Sequence, residues 1–320
     1  MFVRFFTARP ILSIAVAGSV LFAAALIAEG QEPGILGDPS LYHAKALLLA
    51  NDYQGAEKAL RAIVLERPTS VAALNLLGYV LYHENQPKDS LDFLMRGAGI
   101  RPPRADVLKV MGLDCVLLKD TVSADRYLTL SLQQDSTDPV VLYYLGRAKY
   151  TEGHFPDAVD AFERVLHLEP QNVRAENNLG LALEALNRAD EAEAAYRRSI
   201  AMEKGAEHPS EQPFLNIGIL LTNRGETQEA ITLLARAATL APNSPKAHFA
   251  LGRAYMLASR WDDARKEMEE AVGLDATDGG LHFQLGKVYR HLGLLSQARS
   301  EFALSGRLLG SRAASDEPMP

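Results

Sequence analysis

Past residue 36, apolar residues do not alternate. They fall four before, one before and three after a recurring small residue, the spacing of one face of a helix. The small residues are Ala44, Gly78, Gly112, Gly146, Gly180, Gly218, Gly252 and Gly286, every interval being 34 residues except one of 38. Twelve residues beyond each lies a second small column, Ala56, Ser90, Ala124, Ala158, Ala192, Ala230, Ala264 and Ala298. Four further on lies a bulky column, Leu60, Leu94, Leu128, Phe162, Tyr196, Leu234, Met268 and Phe302. Pro68, Pro102, Pro170 and Pro242 follow where a second helix must stop, because proline removes a donor and restricts its predecessor. The pattern predicts sixteen helices in antiparallel pairs after residue 37 and no sheet.

Glycine inside a helix costs about 1 kcal/mol against alanine, so a regular glycine column needs a packing cause. Close helix approach supplies one. The expectation is that the glycine column crosses the alanine column while the bulky column fills the space beside them. The buried stripe includes Leu142, Leu145 and the aliphatic stem of Lys149. Each pair leaves an apolar face open, so neighbours must stack to bury the core.

These columns resemble the tetratricopeptide repeat, a helix-turn-helix unit of about 34 residues. Gly146, Tyr150, Phe155, Ala158, Phe162 and Pro170 carry the resemblance most fully, followed by Leu251, Gly252, Tyr255, Trp261 and Ala264. It implies an all-α chain, a right-handed α-solenoid of about eight helical hairpins over residues 37–312. The repeats run 37–70, 71–104, 105–138, 139–172, 173–206, 211–244, 245–278 and 279–312, with a longer turn at Gly205 to Ser210 accounting for the 38-residue interval. Asp38 before Pro39 reads as a helix cap and first helical residue. A polar tail is expected over 313–320. The last repeat has no further helix to cover it, so its outer face is either polar, through Gln297, Arg299, Ser300 and Arg307, or a homodimer contact.

Residues 1–30 differ in kind, with Arg4 and Arg9 preceding the apolar run Ile11 to Ala28 and a polar exit from Glu29. That order is a secretory signal, cleaved before Gln31 or after Ala25, or else a retained anchor, since 18 apolar residues suffice to span a bilayer. Residues 31–36 are a linker. Both readings place the repeats outside the cytoplasm, periplasmic or otherwise extracytoplasmic.

The net charge is −7, and no basic run occurs, which argues against nucleic acid as partner. Cys115 is the one cysteine, so no intramolecular disulfide forms; it falls on the buried stripe. The eight histidines show no metal-ligand spacing, and no P-loop, nucleophile elbow or dinucleotide fingerprint occurs, so neither enzyme activity, metal nor cofactor is expected.

The resemblance implies that first helices line a groove that takes protein partners. Residues six and three before each glycine, and one, four and five after, share a stripe away from the buried one. Its cations are Lys45, Lys109, Arg147, Arg174, Lys246, Arg253, Lys287 and Arg290, against acidic Asp38, Asp106 and Glu184 only. Tyr79, Tyr82, Tyr143, Tyr150, Phe249 and Phe283 accompany them, with Tyr144 beside the stripe. Asn177, Asn178 and Asn216 stand near the glycines, placed either to hold the backbone of an extended peptide or to bridge neighbouring repeats. The expectation is a basic groove for a peptide that is acidic or ends in a free carboxylate. Contact with a membrane, if any, runs through residues 11–28.

Overall fold

The computed structural model describes residues 39–315. The leader or anchor over 1–30, the linker, the Asp38 cap and residues 316–320 of the tail lie outside the described residues. Within them the chain forms sixteen helices and no strand. It divides between Leu168 and Glu169 into two compact units. The first holds α1 (Pro39–Leu49), α2 (Tyr53–Glu66), α3 (Val71–His83), α4 (Pro87–Ala98), α5 (Ala105–Leu117), α6 (Thr121–Gln134), α7 (Pro139–Thr151) and α8 (Phe155–Leu168). The second holds α9 (Val173–Ala185), α10 (Ala189–Met202), α11 (Gln212–Arg224), α12 (Thr227–Leu240), α13 (Pro245–Leu257), α14 (Trp261–Leu274), α15 (Gly279–His291) and α16 (Leu295–Ser315).

Odd and even helices pair as hairpins, and inside each unit first helices touch the next first helices, as α3 with α5 and α11 with α13. Asp52, Ser70, Asp120, Asp138, Asn172, Ser244 and Asp278 cap helix starts by accepting backbone N–H groups. Every hairpin turns through one left-handed residue seven positions after the small column: Asn51, Asn85, Lys119, Gly153, Asn187, Gly225, Ser259 and Gly293. The next N–H reaches back to the carbonyl five residues earlier, as from Gln86 to Leu81 at 2.9 Å, closing the helix end.

The glycines do meet the second helix closely, but their partner is the bulky column of the same hairpin. A Cβ added to Gly180 would sit 2.5 Å from Tyr196 Cε1, and one on Gly146 would sit 2.8 Å from Phe162 Cε1. The same match joins Gly218 to Leu234 and Gly286 to Phe302. The missing side chain is a socket into which the leucine or aromatic knob fits, whereas the alanine column is buried beside it.

The stripe four before the glycine is apolar in the first unit, at Leu74, Leu108 and Leu142, but polar at three places in the second. Glu176 accepts from Arg198 at 2.9 Å. His248 faces Glu267 at 2.8 Å and the Pro242 carbonyl at 2.9 Å. His282 repeats this with Glu301 at 2.6 Å and the Ala276 carbonyl at 3.0 Å. Partners from the same hairpin or the preceding turn make polar burial tolerable at these positions.

The longer turn contains left-handed Gly205 and is tied down by Glu203, whose carboxylate oxygens both accept the Ser210 N–H at 3.0 Å. At the far end α16 runs to Ser315, past the expected end of the last repeat. Its Gln297, Arg299, Ser300 and Arg307 are exposed, as are Leu295 and Leu309.

Candidate partner-binding surface

The stripe residues sit on the first helices of each hairpin. In the first unit α7 carries Tyr143, Arg147 and Tyr150, all half-buried. The Arg147 guanidinium lies 5.9 Å and 5.5 Å from the ring centres of Tyr143 and Tyr144, and Tyr150 packs 5.4 Å from Phe155. Arg147 is thus partly engaged in holding its own aromatic neighbours. Tyr79 and Tyr144 are core residues, and burial pushes the hydroxyls of Tyr79 and Tyr82 far above the usual phenol range. Lys109 is neutralised by Asp138, the cap of α7, at 2.8 Å. The sequence stripe missed that carboxylate because it lies at the end of the repeat, capping the helix that opens the next one.

In the second unit the amides behave differently from the charges. Asn216 on α11 donates from Nδ2 to Asn177 Oδ1 on α9 at 3.0 Å, and both are buried. The bridging role is therefore the one observed for this pair, and these two are not free to hold a peptide backbone. Asn178 is buried as well. Arg174 is exposed at the start of α9, and Glu184, the acid expected to oppose the cations, accepts the Tyr196 hydroxyl at 3.0 Å.

The solvent-facing chemistry gathers on α13 and α15. Lys246, Phe249 and Arg253 share α13 and are half-buried. Phe283 is 47% exposed on α15, its ring 5.6 Å from Phe302, with the Lys287 ammonium 6.0 Å above it. Arg290 lies 5.8 Å from the Phe302 ring. Arg253, Lys287 and Arg290 have no carboxylate partner among the described residues. Cations beside accessible aromatic rings can hold a carboxylate and an apolar side chain together. Cys115 is buried and its thiol is pushed up to about 12 by burial first and by Asp120 and Asp114 next, which makes it inert. Among the described residues no group of three potential ligands converges on a metal position, and no helix is long and apolar enough to cross a membrane.

Stacked hairpins that offer accessible faces define a helical-repeat interaction scaffold. The tetratricopeptide repeat family matches residues 42–105 and 143–209, and a second profile of the same description matches 221–278, together more than half of the chain. The chain belongs to the tetratricopeptide repeat family. It is 25% identical over 281 residues to DnaJ homolog subfamily C member 3 of Gallus gallus, covering 82% of this chain and 52% of that protein. It is 24% identical over 176 residues to the DnaJ homolog subfamily C member 7 homolog of Dictyostelium discoideum, covering 51% and 33%. It is 30% identical over 181 residues to the cytochrome c-type biogenesis protein CycH of Bradyrhizobium diazoefficiens, covering 56% and 45%. The chain thus spans about half or less of the curated relatives it matches. Among solved structures, the APC/C hetero-tetramer Cut9-Hcn1 aligns with TM-score 0.60 at 17% identity over 89% of this chain and 56% of that one. PilW, described as a widely conserved type IV pilus biogenesis factor, aligns with TM-score 0.56 at 21% identity over 62% and 90%. At such identities these structures share the fold alone.

Proposed function

We propose that this chain is an exported scaffold that holds an extended segment of a partner protein against its first helices, and that it performs no catalysis. The observation that carries the reading is the set of Arg253, Lys287 and Arg290, without carboxylate partners among the described residues: Arg253 shares α13 with Phe249, Lys287 stands over Phe283 and Arg290 beside Phe302. An acidic segment, or a chain end with a free carboxylate, complements that surface. The Arg-rich start and apolar run Ile11 to Ala28 support export, to the periplasm or another extracytoplasmic space. CycH is described as a cytochrome c-type biogenesis protein, which supports an assembly role.

The experiment is capture from the native envelope with the full chain and with an R253E/K287E/R290E variant. All three side chains reach solvent, so helicity and melting stay near wild type while capture is lost and binding weakens as salt rises. Unchanged capture by a folded triple variant places the binding site elsewhere. A second reading keeps residues 11–28 as an anchor and makes the repeats an accessory subunit of an envelope secretion or assembly complex; its motive is the 18-residue length of that apolar run. Mass spectrometry of the mature amino terminus separates the two, since a chain beginning at Gln31 has lost the anchor.

A further inference from the structure

In the first compact unit, on the side of the second helices, α2, α3 and α4 enclose an open cavity of about 460 Å³. Its apolar lining is Val64, Leu65, Pro68, Leu77 and Phe93, and its polar lining is Arg61 and Arg96. Both guanidiniums stand over one aromatic ring, 5.7 Å and 4.9 Å from the centre of Phe93. Leu77 is fully buried and forms the floor, whereas Leu65 is 85% exposed, an isobutyl group left in water at the rim.

The combination occurs once in the repeat pattern. At the corresponding positions the next joint has Met95, Tyr127 and Leu130, and the one after has Thr129, Ala161 and Arg164. In the second unit the arginine pair returns as Arg197 and Arg236, but around Leu233 instead of an aromatic ring. There Arg197 is held at 2.8 Å by both Glu193 and Glu229. In the first unit Glu57 binds Arg61 at 2.6 Å, leaving donors of that guanidinium unused, and Arg96 has no carboxylate partner among the described residues. Asp92, one turn before Arg96, makes no ion pair with it.

We propose that this cavity is a docking site, separate from the first-helix surface, for a peptide segment of a partner protein in which a bulky apolar side chain adjoins a carboxylate. The apolar group covers Leu65 and packs on Val64, Leu77 and Phe93. The carboxylate meets Arg96 and the spare donors of Arg61, both standing over the Phe93 ring. Charge complementarity selects this occupant: Arg96 brings a cation without a carboxylate partner among the described residues, beside an Arg61 that Glu57 and Glu84 face from one side only.

The test is methyl NMR of the full chain, titrated with acetyl-glycyl-leucyl-phenylalanine bearing a free carboxylate and with its carboxy-terminal amide, which has none. Shifts are expected at the methyls of Val64, Leu65 and Leu77. Affinity should fall roughly five-fold for Arg96→Gln and again for the amide, the size of one partly exposed charge pair. Leu65→Ser should weaken binding without loss of fold, because its side chain touches water, and it decides the matter if Arg96→Gln loses helicity. The R253E/K287E/R290E variant should keep the same shifts at the methyls of Val64, Leu65 and Leu77, whatever binding it loses on α13 and α15, so failure of the first-helix reading and failure of this one are told apart. Absence of shifts at the three methyls, unchanged affinity in both Arg96→Gln and Leu65→Ser, or equal binding of the amide overturns the proposal.

Discussion

Lys119 and Ser259 occupy the left-handed turn position that asparagine or glycine fills in the other six hairpins. A side chain with a Cβ strains that conformation by roughly 1–2 kcal/mol, while glycine gives back part of the gain as chain entropy. Lys119→Gly is expected to stabilise by about 0.5–1 kcal/mol, read from urea unfolding; a lower midpoint would contradict the assignment. This turn column was legible in the spacing of Asn51, Asn85, Gly153 and Asn187, although it lies between the helices whose small residues mark the repeat. Ser90 and Asp114 were a harder case. Ser90 departs from the alanine column, and Asp114 stands where other repeats have Val80, Ala148, Ala182 or Val288. The two departures are one feature, because Ser90 Oγ donates to Asp114 Oδ2 at 2.6 Å in the core. Burial raises the Asp114 carboxyl to about 8 against the lowering effect of Ser90, and its other oxygen has no partner among the described residues. Unfolded aspartate loses its proton near about 3.9, so between there and about pH 8 the folded state binds the extra proton. The group's contribution to stability is full below about pH 4 and is lost as pH rises toward about 8. The Ser90→Ala, Asp114→Val double variant is expected to melt above wild type by a margin that grows over this range, on the order of 1–3 kcal/mol at its upper end. A margin independent of pH would show that Asp114 is ionised in the fold.

At the level of helices, the 34-residue recurrence made the hairpins readable because a glycine in mid-helix is too costly to recur without cause. Which residue fills each gap was not readable. A one-dimensional pattern places the alanine and bulky columns on the same second helix, and only the crossing geometry chooses between them. Gly180→Ala is therefore a sharper probe than a large substitution. Its Cβ would lie within 2.5 Å of the Tyr196 ring, which is itself fully buried and anchored through its hydroxyl to Glu184. The expected loss is about 1–3 kcal/mol, even though alanine is the better helix former by about 1 kcal/mol. A stabilised variant would mean the two helices separate without cost. The polar residues four before the glycine at Glu176, His248 and His282 escaped the apolar reading because their partners, Arg198, Glu267 and Glu301, lie 19 to 22 positions later.

For the molecule as a whole, stacking of near neighbours implies that damage stays local. Gly180→Leu should lower hydrogen-exchange protection chiefly in α9 to α12 and leave α1 to α6 near wild type. Equal loss in every helix would replace the quasi-linear picture with a single cooperative core. The basic stripe was legible as composition, but composition could not show that Lys109 is spent on Asp138, Arg147 lies against tyrosines and the Asn177 and Asn216 amides on one another. Arg253, Lys287 and Arg290, without carboxylate partners among the described residues, lie on α13 and α15, a shorter stretch than the stripe suggested. The socket and its knob have a further consequence for descent. Each glycine and the side chain that fills it, such as Gly146 with Phe162 or Gly252 with Met268, are 16 residues apart within one hairpin. A copying event that duplicates one 34-residue stretch of the gene carries both halves of the fit together. The knobs can then diverge from leucine to methionine, tyrosine or phenylalanine independently from copy to copy, and the array can lengthen without any older hairpin having to change.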